Sequence, residues 1–253
     1  MISEGYNSKL KVLIACEESQ TVTKAFLALG HDAYSCDILP CSGQLPQRHF
    51  QCDIFKIIKQ RGGLLESGHV INDNRPWDLM IAHPPCTYLS VSGARWYYHP
   101  DDWLLPNHMK RPHPKFPDRA VHREKAVEFF IKLWEAPIRH IAIENPVGIM
   151  STRLCPPHQK VHPFHFGDSA RKNTCLWLKN LPLLQHTNVV DEGERTYFYS
   201  GRSQPKWYSD ALINAKTTEE RRTLRSKTFQ GMAKAMAEQW AHSVKELNFE
   251  ATI

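Results

Sequence analysis

The sequence predicts an α/β protein built on a doubly wound, mostly parallel sheet. Three observations predict it. The chain opens strand, helix, strand. Further short apolar runs follow, and each breaks at a polar or proline-rich turn. Between them lie stretches with apolar residues at helical spacing. At 253 residues and 42% hydrophobic, the length suits one domain, or one domain with a small appendage.

Residues 9–16 (KLKVLIAC) read as a buried strand that ends at the polar turn Glu17-Glu18-Ser19-Gln20. In residues 21–29 the apolar positions Val22, Ala25, Phe26 and Leu29 have helical spacing, and Gly30 supplies a stop. Residues 31–36 predict a second strand, closed by Asp37. A third, 77–82 (WDLMIA), runs into His83-Pro84-Pro85-Cys86. Residues 118–135 predict a helix, and 139–143 a strand that ends at Glu144-Asn145-Pro146. Residues 161–166 and 174–178 predict the last strands as a hairpin. Residues 217–246 are charged and amphipathic, and predict one or two helices. Two stretches break the rhythm. Residues 90–117 hold prolines at 100, 106, 112, 114 and 117 beside Trp96, Tyr97, Tyr98 and Trp103. Residues 181–215 are irregular. A loop as long as the first is usually functional or disordered.

Composition narrows the class. No run of about 18 apolar residues exists, so a membrane-spanning helix is not expected. Residues 1–9 lack an apolar signal core, and the expected location is the cytoplasm. The seven cysteines are odd in number and form no CxxC pair, which favours reduced thiols over a disulfide framework. Cys155, His158, His162 and His165 match no common zinc spacing, and no metal is expected. A net charge of +6 with fourteen histidines uncounted permits a polyanionic partner. Nothing indicates an oligomer, and a monomer is the default.

The chemistry sits at two strand ends. In open α/β sheets ligands bind outside the carboxyl ends of the strands. A cysteine alone is more often an inert buried thiol, and a glutamate alone more often an ion pair. Here Cys86 and Glu144 end successive predicted strands and face one crevice. Pro84 and Pro85 stiffen the approach to the thiol.

Pro84-Pro85-Cys86 and Glu144-Asn145 resemble the signature motifs of the DNA cytosine-5 methyltransferase family. Ser90 falls where the family has a serine, and Pro146 replaces a valine. The resemblance runs through most of the chain in family order and is closest to short bacteriophage members. It implies an S-adenosylmethionine-dependent methyltransferase (Rossmann-like) fold. Residues 1–180 and 216–253 would form the catalytic domain, and 181–215 a very small target-recognition insertion. It implies Cys86 as the nucleophile on carbon 6 of cytosine, Glu144 as the proton donor at N3, and Asn145 as its support. Residues 166–174 resemble the family's Gln-x-Arg-x-Arg strand, with Ala170 for the glutamine, Lys172 for the first arginine and Thr174 for the second. Lys172 is the remaining cation.

The same resemblance places S-adenosyl-L-methionine at the first turn, on Cys16, Glu17, Glu18, Ser19 and Gln20, where the family's glycines are replaced. Asp37 and Ile38 would meet the ribose, and Asp53 and Ile54 the adenine. His83, Pro84, Gly231 and Met232 complete that set, the last two from a Gln-x-Gly-Asn-like motif at 230–232. DNA contacts are expected from Ser90, Arg95, Trp96, Lys110 and Arg111, and from Arg202 in the short insertion, which implies a short or relaxed recognition sequence. Three alternatives stay open: a modified S-adenosylmethionine carrying a larger group, an RNA or free-nucleotide substrate, or a DNA-binding protein without turnover.

Overall fold

The computed structural model describes residues 9–226 and 228–250. Its first strand, β1 (Lys11–Ala15), is wholly buried. Side chains alternate across a strand, and β1 uses both sides. Leu13 and Ala15 enter one apolar cluster, Val12 and Ile14 the other. A strand covered on both faces reads as an unbroken apolar run, which is why β1 was legible. α1 (Thr21–Ala28), β2 (Asp32–Asp37), β3 (His49–Gln51), α2 (Ile54–Gln60) and the short pair β4 (Gly63–Leu64) and β5 (Val70–Ile71) follow. Then come β6 (Leu79–Ala82), α3 (Arg119–Trp134), β7 (His140–Pro146), α4 (Met150–Arg153), β8 (Gln159–Val161) and β9 (Thr174–Lys179). β10 (Arg195–Tyr197), β11 (Ser203–Pro205), α5 (Lys206–Asn214), α6 (Thr218–Ser226) and α7 (Gln230–Glu250) end the chain.

The main sheet has the order β3-β2-β1-β6-β7-β9-β8. The five strands from β3 to β7 are parallel, and β9 runs antiparallel to both β7 and β8. The expected doubly wound α/β class therefore holds for a mostly parallel seven-stranded sheet. α2 and α3 cover one face through Ile57, Ile58, Val127, Phe130 and Leu133. α1 and α7 cover the other through Val22, Phe26, Met236, Trp240 and Val244. No described helix is long and apolar enough to cross a membrane.

Three sequence readings are corrected. The strand expected over 161–166 lies earlier, as β8, because Pro163 has no N–H for a ladder and starts a 3-10 turn instead. The stretch 181–215 is not irregular throughout: it holds the antiparallel pair β10 and β11 and α5. Residues 90–117 form no loose loop. They fold through three 3-10 turns, closed by Arg111, which donates to Asp102 through Nη2 (2.7 Å) and Nε (3.0 Å). That pair holds the Asp102 carboxyl down at about 2.

At the opposite end of β1 the buried Lys11 is a polar anchor. Its Nζ donates to the carbonyls of Arg61 (2.6 Å), Asp73 (2.5 Å) and Arg75 (3.0 Å) and lies 4.6 Å from the Trp77 ring centre. Burial lowers the Lys11 pKa, and the Asp73 carboxylate opposes that shift. The ammonium ties the 61–75 segment to the sheet. Lys11→Met removes the buried donor of all three bonds, so we expect a loss of about 3 kcal/mol, read from the midpoint of urea unfolding.

Candidate active site

The sheet changes direction of winding between β1 and β6, and a crevice must open where their connections part. A cleft of about 1320 Å³ lies there, over the carboxyl ends of β1, β2, β6 and β7. Small-molecule sites span about 300–1,000 Å³, so this one has room for more than one ligand.

One end of the cleft is acidic. After β1 the chain turns through Cys16 (φ 59°) and Gln20 (φ 57°), a left-handed geometry that glycine adopts without a steric penalty. Glu17 is buried beneath this turn. Its carboxylate accepts from the amides of Val22 (2.6 Å) and Thr23 (3.2 Å) and from the Thr23 hydroxyl (2.7 Å). It therefore caps α1 from within. Burial raises the Glu17 pKa, against the opposing pull of His83 and these hydrogen bonds. Glu18 holds Ser42, Asp37 accepts from the Leu39 amide (2.9 Å), and Ser19 completes this end of the lining. Burial, with Asp37 and Asp53 nearby, pushes the Cys16 thiol far up.

Other expected cofactor residues are engaged elsewhere. Gln20 is fully buried and pairs with the Leu45 amide and carbonyl and with Ser35. Ile38 stands in solvent and does not line the cleft. Asp53 caps α2 through the Phe55 amide, and Ile54 enters the core. Met232 is core as well. Gly231 is a packing glycine: a Cβ there would stand 1.9 Å from the Phe166 carbonyl oxygen, and its amide donates to Asp168. Its motif resemblance marks the docking of α7, not a lining position.

The centre of the cleft is where β6 and β7 end side by side. Asn145 donates to the Pro84 carbonyl (2.8 Å), so it fixes the loop that carries Cys86. The Cys86 carbonyl accepts from the amides of Leu89 and Ser90, both at 3.0 Å. Arg119 clamps the Thr87 carbonyl at 2.8 Å. Val91 donates to Val147, and Ile149 to Leu89, which zips the loop after Cys86 to the loop after Glu144. Gly148 permits the zip, since a Cβ there would fall 2.1 Å from the Leu89 carbonyl oxygen. His83 Nδ1 lies 3.3 Å from Glu144 Oε2. Among the described residues, His83 Nε2, Glu144 Oε1 and Asn145 Oδ1 are buried here without a partner, as are Arg119 Nε and Arg225 Nε elsewhere in the cleft lining, and His140 Nε2 and His162 Nδ1 away from it. Unpartnered buried polar atoms cost about 1–3 kcal/mol each, and their clustering on cleft-lining residues marks a place built for a polar ligand.

The charges fix the resting state. Burial raises the Cys86 pKa, the Glu144 carboxylate adds to that, and Lys172 opposes both. Burial would also raise Glu144, but Lys172 and the His83 contact outweigh it, and its pKa is lowered. The thiol keeps its proton and the carboxyl does not.

The other end of the cleft is basic. Ser90, Trp96, Lys115 and Arg119 line one wall; Arg171, Lys172, Arg195, Arg221 and Arg225 line the other, with Trp207 and Tyr208. The Arg225 guanidinium stacks 3.5 Å from the Tyr208 ring centre. Of the expected DNA contacts, Ser90 and Trp96 line the cleft. Arg95 stacks on Trp96, and Lys110 on Tyr98, both outside the lining. Arg111 is spent on Asp102, and Arg202 lies in the hairpin turn beyond the wall. Arg119, Arg221 and Arg225 had no sequence signal, since helical arginines usually face solvent. Among the described residues no group of three or more His, Cys, Asp or Glu could hold a metal ion.

The chain matches no protein-family model, and no curated protein sequence matches it.

If Gly231 serves packing, Gly231→Ala lowers stability by about 2 kcal/mol in urea unfolding. A variant of unchanged stability would return Gly231 to the list of ligand contacts.

Proposed function

We propose that the protein transfers a methyl group from S-adenosylmethionine to carbon 5 of cytosine in DNA, through a covalent bond from Cys86 to carbon 6. The observation that carries this reading is the pairing of Cys86 with Glu144. They stand on adjacent strand ends in one cleft, a thiol that is protonated and a carboxylate that is not, with Lys172 acting on both.

The cofactor end supports the same reading. A dinucleotide places its pyrophosphate at the first helix N-terminus. Here the Glu17 carboxyl already occupies those amides, so they are not free to hold a phosphate. A ligand with a cationic sulfonium and ammonium and a ribose suits an end lined by Glu18 and Asp37. Glu18, Ser19 and Asp37 would hold it, and when bound it supplies an electrophilic methyl group. The basic end suits a polyphosphate backbone, which points to a nucleic-acid strand over a free nucleoside.

This chain's residues can then carry out the acid–base steps. Cytosine carbon 5 is too weak a nucleophile alone. Cys86 Sγ bonds to carbon 6. The carbon 5–carbon 6 π pair moves to carbon 4–carbon 5, and N3 takes the displaced pair with a proton. The thiol loses one proton and N3 gains one, so Glu144 need only carry it, taking it up and passing it from Oε1. Oε2 stays with His83, which orients the carboxylate. Asn145 acts through the Pro84 carbonyl to keep Sγ in place. After carbon 5 is alkylated, it gives up its proton to a base, the carbon 5–carbon 6 double bond re-forms, N3 returns its proton, and Cys86 leaves.

The test is a nucleoside mass spectrum of unmodified duplex DNA after incubation with the protein and S-adenosylmethionine. We expect 5-methylcytosine from the wild type and none from Cys86→Ala, whose circular dichroism stays native. A product formed by Cys86→Ala would overturn the nucleophile, and DNA left unmodified by the wild type would overturn the reaction. We expect Glu144→Gln to lower kcat by about 10²–10⁴-fold, the usual contribution of a positioned acid. An unchanged kcat would remove Glu144 from the proton path.

A further inference from the structure

The reaction proposed above leaves one step without an agent: once carbon 5 is alkylated, its proton must go to a base. Carbon 5 has to meet the donor's methyl group, so that base belongs where the two ends of the cleft join. β6 lies between β1, which leads to the acidic end, and β7, which carries Glu144. His83 is the first residue after β6. Its amide donates to the Ala15 carbonyl (2.9 Å), which ties its backbone to the end of β1, and the residue lines the cleft.

The ring stands in the field of two carboxyl groups. Nδ1 lies 3.3 Å from Glu144 Oε2, and the charge of His83 also reaches Glu17. The Glu144 carboxyl has lost its proton and can only accept, so Nδ1 carries the N–H of a neutral ring. Nε2 is then a bare lone pair, buried and without a partner. A carboxylate behind Nδ1–H and a free lone pair at Nε2 make a histidine base. The carboxylate fixes the tautomer and steadies the imidazolium that forms. The acidic groups at the other end are engaged. Glu17 accepts from three donors, Glu18 from Ser42, and Asp37 from the Leu39 amide.

We propose that His83 Nε2 is the base that takes the proton from carbon 5. This rests on the transfer reaction read above from Cys86 and Glu144. The step balances within the site. The carbon 5–hydrogen bond breaks, and its pair forms the carbon 5–carbon 6 double bond. The carbon 6–sulfur bond breaks, and its pair returns to Cys86 Sγ. Nε2 gains the carbon 5 proton, N3 returns its own through Glu144 to Sγ, and the imidazolium gives its proton to solvent when the product leaves. His83 thus meets the reacting atom itself, besides orienting Glu144.

The test separates proton removal from the steps before it, using the full chain and S-adenosylmethionine. DNA carrying 5-fluorocytosine can be attacked and alkylated, but its fluorine cannot leave as a proton does. The protein stays bonded to it, and the adduct is counted on a denaturing gel. Adduct formation needs no base at carbon 5, whereas turnover on ordinary cytosine does. His83→Asn keeps a donor where Nδ1 stands and removes the lone pair at Nε2. We expect it to lower turnover by about 10²–10⁴-fold, while adduct formation on the fluorinated DNA falls far less, which also shows that the variant is folded. An equal fall on both substrates would make His83 a support for Glu144 and overturn the base, as would full turnover by His83→Asn. In either case a wild type that forms 5-methylcytosine leaves the transfer reaction standing. A wild type that yields neither product nor adduct would overturn the reaction, and the base with it.

Discussion

A parallel sheet gathers the carboxyl ends of its strands, and the amino ends of the helices that follow, along one edge. How the free amides of the first helix are satisfied decides what can settle there. In this protein Glu17 satisfies them from inside the chain. The consequences spread outward. The turn must fold back through two left-handed residues, Cys16 and Gln20. Gln20 is drawn under the 43–45 segment, where Gly43 must be bare to make room: a Cβ would meet Gln20 Cβ at 2.5 Å. The edge is left acidic, with the helix amides that commonly receive a phosphate already taken. Every later feature of the cleft is set against that choice.

The second organising contact is the zip between the loops after β6 and β7. It is made of backbone bonds and of Asn145 on the Pro84 carbonyl, so it is insensitive to side-chain charge. Rigid strands and a rigid loop pair can hold unpartnered atoms such as Glu144 Oε1 in place, because no local relaxation lets them find a substitute. A flexible loop would have relieved the strain and lost the site.

Much of this was legible in the sequence, for identifiable reasons. β1, β6 and β7 are buried on both sides, so their apolar runs stand out. Glu144 and Asn145 lie in the last residues of β7, Cys86 sits in the loop that follows β6, and Lys172 precedes β9. The half expected to hold a cofactor was less legible. Gln20, Asp53 and Gly231 occupy motif-like positions, yet each serves a cap, a turn or a packing contact, and single-residue patterns do not separate these roles. β3 and α2 are not legible because three and seven residues are too few to show a strand or helix period. The arginines of the basic end come from α3, the segment before β9, β10 and α6, and only the tertiary fold brings them together.

The protonated state of Cys86 has a consequence for the protein's own survival. On the proposed reaction a strong alkylating agent is held within reach of a sulfur nucleophile. A standing thiolate would consume it and inactivate the protein in a single turnover. Burial and the Glu144 carboxylate keep Cys86 as a thiol, which is a poor nucleophile. On that proposal the sulfur would be unmasked only when a base arrives whose N3 can take the proton away, and the same electrostatics that slow the resting site would act as insulation against self-alkylation between encounters with DNA.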